Sequence, residues 1–145
     1  MKKILLGMLV LAAITGTSCK KDKDKSCEKS VAGIAGNYKV TKYESVAGSQ
    51  TQDQTSSFFT ACDLNGIYAL KADKTWTYTE TGTCTGTDNG TWDVTDGKIT
   101  VKDASGFTVA DNLPITTWDC TTLVVFEGTN TSAGDVGFRT YYTKQ

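Results

Sequence analysis

This sequence predicts an all-β fold: an antiparallel up-and-down barrel of about eight strands, with one short helix or capping loop. Three observations carry the prediction. The 145 residues hold 25 threonines and only two methionines, and threonine suits pleated strands and their turns better than helix interiors. From Gly36 onward, short segments alternate apolar and polar side chains with the period of two that marks a half-buried antiparallel strand. The gaps between segments are mostly hairpin length, so sequence neighbours pair. Strands this short hold only if the sheet closes or stacks, and up-and-down order favours a closed barrel over a Greek-key sandwich.

The barrel is preceded by a different kind of chain. Met1-Lys2-Lys3 is a short basic start, and the apolar run Ile4 to Ile14 that follows it is too short for a spanning helix, which needs about 20 residues. Small polar residues (Thr15-Gly16-Thr17-Ser18) then lead to Cys19, the pattern of a secretory signal. The whole resembles a bacterial lipoprotein signal, in which the cysteine is acylated and becomes the new N-terminus. Gly16 stands where that pattern usually has leucine. The alternative is an ordinary cleaved signal with Cys19 free to join a disulfide. The lipoprotein reading sets a signal peptide at 1–18, a lipidated cysteine and charged tether at 19–32, and a barrel domain at 33–145. It places the protein in the cell envelope, on the outer membrane, held by lipid on Cys19; two or more acyl chains give stable attachment.

Residues 20–30 carry a net charge of +2, and the chain from Val31 onward carries −5. A segment this polar cannot bury enough surface to order itself, so it reads as a tether. An acidic body with a single arginine lacks the basic stripe that nucleic acid requires.

The strands follow in order. Asn37–Glu44 places Tyr38 and Val40 on one face. Gly66–Lys71 carries Tyr68 and Leu70 and turns at Ala72-Asp73-Lys74. Thr75–Thr81 alternates most cleanly, with Trp76 and Tyr78 on one side and threonines on the other. Asp88-Asn89-Gly90 reads as a turn into a strand with Trp92 and Val94, and Asp96-Gly97 as a two-residue hairpin into Ile99 and Val101. Weaker strands are expected at Phe107–Val109 or Leu113–Thr117. Leu123–Phe126 reads as more buried, and Val136–Thr143 closes the chain. The one long connection, Ser45 to Asp63, contains Ser57-Phe58-Phe59 and reads as a short helix capping an open barrel end.

Export places Cys27, Cys62, Cys84 and Cys120 where disulfides persist. Four cysteines allow three connectivities. Cys62 and Cys84 flank the hairpin Gly66–Thr81, whose ends lie side by side, so they are the better-supported pair. Cys27–Cys120 follows by elimination.

The layout is similar to the lipocalin-like domain of small Gram-negative lipoproteins. The matching residues are Gly36-Asn37-Tyr38, Cys62, the run Tyr68–Tyr78, Cys84 and Gly90-Thr91-Trp92, over roughly 33–143. Tyr38 replaces the usual tryptophan, and the domain is short; both departures weigh against a roomy, enclosed cavity. The resemblance implies a basic residue on the last strand packed over the first-strand aromatic, here Arg139 over Tyr38 at the closed end. Arg139 is the sole arginine of the chain.

No catalytic constellation stands out. Without histidine the chain lacks the commonest general base and metal ligand, which removes serine–histidine and cysteine–histidine hydrolysis and most zinc sites. Asp63-x-Asn65-Gly66 and Asp88-Asn89-Gly90 begin like calcium loops but lack the later ligands, so they read as turns. The expectation is a non-enzyme with no cofactor and no metal. Tyr38, Tyr68, Trp76, Tyr78, Trp92 and Tyr142 either line an apolar pocket or fill the core. Two functions remain: a binding module for a small hydrophobic ligand, or a packed barrel without a ligand that meets an envelope protein or blocks a protease. Interior volume separates them, with roughly 300 Å³ or more favouring a ligand.

Overall fold

The computed structural model describes residues 27–145. The expected signal, Cys19 and most of the expected tether therefore lie outside the described residues. Nine antiparallel strands form one sheet: β1 (Gly36–Ala47), β2 (Gln50–Asp53), β3 (Ile67–Leu70), β4 (Thr75–Thr79), β5 (Thr87–Thr95), β6 (Lys98–Asp103), β7 (Thr108–Trp118), β8 (Thr122–Thr131) and β9 (Gly134–Lys144). β1 pairs with β9 along its length, from Tyr38↔Lys144 to Ala47↔Val136, and this pairing closes the ring. β2 adds to the far half of β1 only, so the ring itself has eight strands.

β2 was not expected, because Gln50-Thr51-Gln52-Asp53 is exposed throughout and gives no apolar period to read. It exists because Gly48 takes a left-handed turn (φ +62) that folds the chain back on β1. Two short helices, α2 (Thr55–Phe58) and α3 (Ala61–Asn65), complete the connection that the sequence predicts to cap the barrel. Asp88-Asn89-Gly90 is a correction: it lies within β5, paired to β4 at Asp88↔Tyr78 and Asn89↔Thr77. The two weak candidates near residues 107–117 are one strand, β7, broken in register near Asn112, whose φ is +51.

One end of the barrel is sealed. The four-residue helix α1 (Val31–Ile34) starts at Ser30, whose hydroxyl accepts from the Gly33 N–H, and drives Ile34 to full burial. The Tyr38 hydroxyl donates to the Ile34 carbonyl. Trp92, 2% exposed, donates from its indole N–H to the Lys71 carbonyl at 2.9 Å and completes the floor. The predicted tether does not extend to residue 32. Cys27 is disulfide-bonded to Cys120, and Lys29 donates to the Ile115 carbonyl at 2.7 Å. The second bridge, Cys62–Cys84, ties α3 to the β4–β5 loop at the opposite end.

Turn chemistry repeats a short phrase that the strand pattern hides. Asp53-x-Thr55, Asp73-x-Thr75, Asp103-x-Ser105 and Asp119-x-Thr121 each aim an aspartate oxygen at the N–H and hydroxyl two residues on. These are Asx turns, and the hydrogen bonds hold all four carboxyls below their ordinary pKa. On the outer face, Glu44 is 3% exposed. Burial alone would raise its pKa, but hydrogen bonds from Lys42 and Tyr141 and the charges of Lys42 and Arg139 outweigh it, so the carboxyl sits below the usual range.

These groups contribute to the acid sensitivity of the fold. A carboxyl whose folded pKa is depressed adds stability above its unfolded pKa, about 4, and loses it as pH falls through the folded value. Melting temperature should therefore hold steady from neutrality to about pH 5 and drop steeply below about pH 4. Thermal melts across that range check it, and the Glu44→Gln variant should show a shallower drop.

Candidate functional site

Between the sealed floor and the other end, the barrel encloses a cavity of about 260 Å³. Its wall is built by the alternation that defines the strands. Inward positions of β3 and β4 supply Tyr68, Leu70 and Trp76; those of β8 and β9 supply Leu123, Val125, Thr140 and Tyr142; Tyr38 comes from β1. Burial pushes the phenols of Tyr38 and Tyr142 up to about 12, and raises that of Tyr68 further in the same direction. All three are neutral at physiological pH. The Tyr38 hydroxyl is spent on Ile34, whereas those of Tyr68 and Tyr142 hydrogen-bond to no other described residue.

The cavity opens through a split in the barrel wall. β7 and β8 are paired from Trp118↔Leu123 to Ile115↔Val125 and no further, while β8 continues with β9 to Thr131↔Gly134. The unpaired part of β7 brings Val109, Ala110 and Leu113 to one lip. β8 brings Glu127 to the other, and both Val109 and Glu127 are exposed. Beyond Thr140 the mouth is narrowed by an aromatic group. Tyr43 stacks on Phe138 with centroids 5.2 Å apart, and Phe58 and Phe59 from the α2 segment pack on Tyr43 at 4.9 and 5.6 Å. The capping role predicted for the Ser57-Phe58-Phe59 stretch is thus filled by the two phenylalanines, with Phe58 still 59% exposed.

Of the six aromatics singled out from the sequence, the structure places Tyr38, Tyr68, Trp76 and Tyr142 in the cavity wall. Trp92 is floor. Tyr78 supports the rim: its ring lies tilted against Tyr68, centroids 4.6 Å apart, and against Gly66, where a Cβ would stand 2.2 Å from it. Among the described residues no cluster of three or more acidic or sulfur side chains has the geometry of a metal site.

Arg139 does not cover Tyr38. In the closing register it stands opposite Glu44, six residues along β1 from Tyr38, or about 20 Å of strand. Its guanidinium donates to Asp135 at 3.0 Å and faces Glu44 at 3.8 Å on the outer surface. The cation at the closed end is Lys144, opposite Tyr38, with its ammonium 5.9 Å from the Tyr38 ring and 5.5 Å from that of Trp118. The sequence reading also missed Glu127. It stopped the eighth strand at Phe126, although continuing Leu123-x-Val125 by two residues puts Glu127 on the same inward face.

The family model described as a lipocalin-like domain matches residues 34–125 of this chain. No curated protein and no solved structure matches it.

Proposed function

Because this chain belongs to the lipocalin-like domain family, we propose that it is a membrane-anchored lipoprotein of the cell envelope whose barrel holds a small hydrophobic ligand. The observation that carries the binding role is the aromatic cavity, apolar in most of its wall and reached through the β7–β8 split. Binding sites for small molecules have this character: concave, mainly apolar, with a few polar groups that set orientation. At about 260 Å³ the cavity falls below the roughly 300 Å³ set from the sequence as favouring a ligand, which is the lower end of the range for drug-sized molecules. A cavity of about 150 Å³ already accepts benzene, so the space suits a one- or two-ring molecule or a short chain. The anchor rests on the basic start, the apolar run and Cys19.

A second reading, a barrel that meets an envelope protein, is favoured by Phe107 and Val109, 71% and 61% exposed near the entrance. One purification tests both. The native protein should fractionate with membranes, and Cys19→Ala should release it into the soluble fraction. Native mass spectrometry of the delipidated wild type should find a small molecule bound. A protein partner at constant stoichiometry with an empty barrel would favour the second reading.

A further inference from the structure

We propose that the cavity selects a small apolar molecule carrying a positive charge, an aryl- or alkylammonium, with the cation held at Glu127 on the lip of the split. This rests on the ligand-binding reading and names the chemistry of its ligand.

Among the described residues, the cavity wall contains one charged side chain, Glu127, and no lysine or arginine. The sole arginine is turned outward and engaged with Asp135 and Glu44. The Lys144 ammonium is at the closed end over the Tyr38 and Trp118 rings and is not part of the wall. A ligand carboxylate entering this space would find no cation to pair with.

It would also meet charge of its own sign. Glu127 acts on the phenols of Tyr142 and Tyr43, and Asp63 and Asp88 act on that of Tyr68; in each case the acids add to burial in keeping the proton on. The same field that resists a phenolate attracts an ammonium. The wall favours a cation a second time. Tyr68, Trp76 and Tyr142 line it with aromatic rings, and the quadrupole of such a ring attracts a desolvated cation. The two phenol hydroxyls that have no partner among the described residues can accept from ammonium N–H groups. The volume disfavours a long-chain fatty acid.

Three probes of one shape separate charge from size: 1-naphthylmethylamine, 1-naphthalenemethanol and 1-naphthaleneacetate, titrated calorimetrically into the purified protein. The amine should bind about five- to tenfold more tightly than the carboxylate, as expected for a partly exposed ion pair gained in one case and repelled in the other. Nuclear magnetic resonance shifts at Trp76 should place the ring system in the cavity. Glu127 is exposed, so Glu127→Gln should leave the fold intact by circular dichroism while bringing the three affinities to within about twofold. Binding of the carboxylate as tightly as the amine, or an unchanged preference in Glu127→Gln, would overturn the charge selection and leave the ligand reading standing. Binding of none of the three would overturn the ligand reading and this proposal with it.

Discussion

Replacing Cys27 and Cys120 together by serine should lower the unfolding free energy by about 4–5 kcal/mol in the chain-entropy model. The bridge joins residues 93 apart in sequence, so it removes more freedom from the unfolded chain than Cys62–Cys84, which joins residues 22 apart and should contribute about 3 kcal/mol. The native state loses something as well. Cys27 anchors the segment that runs through Lys29 and Ser30 into α1, and α1 carries Ile34 into the floor. With the anchor gone, that segment is held by the Lys29–Ile115 hydrogen bond, the helix cap and the packing of Ile34. Urea denaturation of the wild type and the double-serine variant measures the difference. A loss under about 1 kcal/mol would mean that those contacts hold the floor without the bridge.

Much of the fold is legible in the sequence wherever a side chain reports its face. Trp76 and Tyr78 against Thr75, Thr77 and Thr79 give β4 outright, and the Asp96-Gly97 hairpin puts Trp92 and Ile99 into adjacent strands. The Cys62–Cys84 pair was legible for a related reason, since hairpin ends are neighbours, and Cys27–Cys120 followed only by elimination. What stayed hidden is what side-chain period does not encode. β2 has no buried residue and is held through its backbone. Asp88-Asn89-Gly90 has turn composition, yet pairing with β4 overrides that local preference.

The site was half legible for the same physical reason. Alternation identifies an inward aromatic but not its height along the barrel, so it could not tell Trp92 in the floor from Trp76 in the wall. Height depends on register, which bulges in β1 and β7 shift. The misplacement of Arg139 is a register error of this kind: being on the last strand is not the same as being opposite Tyr38. The entrance was invisible because it arises where pairing stops, between Ile115↔Val125 and the tips of β7 and β8.

Gly90→Ala should cost about as much as losing a bridge, roughly 3–5 kcal/mol, from overpacking and a lost, partly buried hydrogen bond together. A Cβ at this position would stand 1.9 Å from the Lys102 carbonyl oxygen and 2.8 Å from the Trp76 indole nitrogen. Those two atoms are hydrogen-bonded to each other at 2.8 Å, so the methyl group would intrude on a made bond. The backbone oxygen can retreat only by opening the β5–β6 ladder, where Gly90 pairs with Asp103. The indole can retreat only into the cavity, whose wall it forms. The substitution should therefore act twice. Melting temperature should fall by about 10 °C or more for a loss of this size, and the Trp76 environment should change, visible as altered near-ultraviolet circular dichroism in the variant that remains folded. Gly82, where a Cβ would meet nothing within 4 Å, is the control. Its left-handed φ of +78 makes alanine mildly unfavourable there, by about 1 kcal/mol, without touching the tryptophan. Equal melting temperatures for the two alanine variants would show that the contact between Gly90, Lys102 and Trp76 does not hold the β5–β6 wall in place.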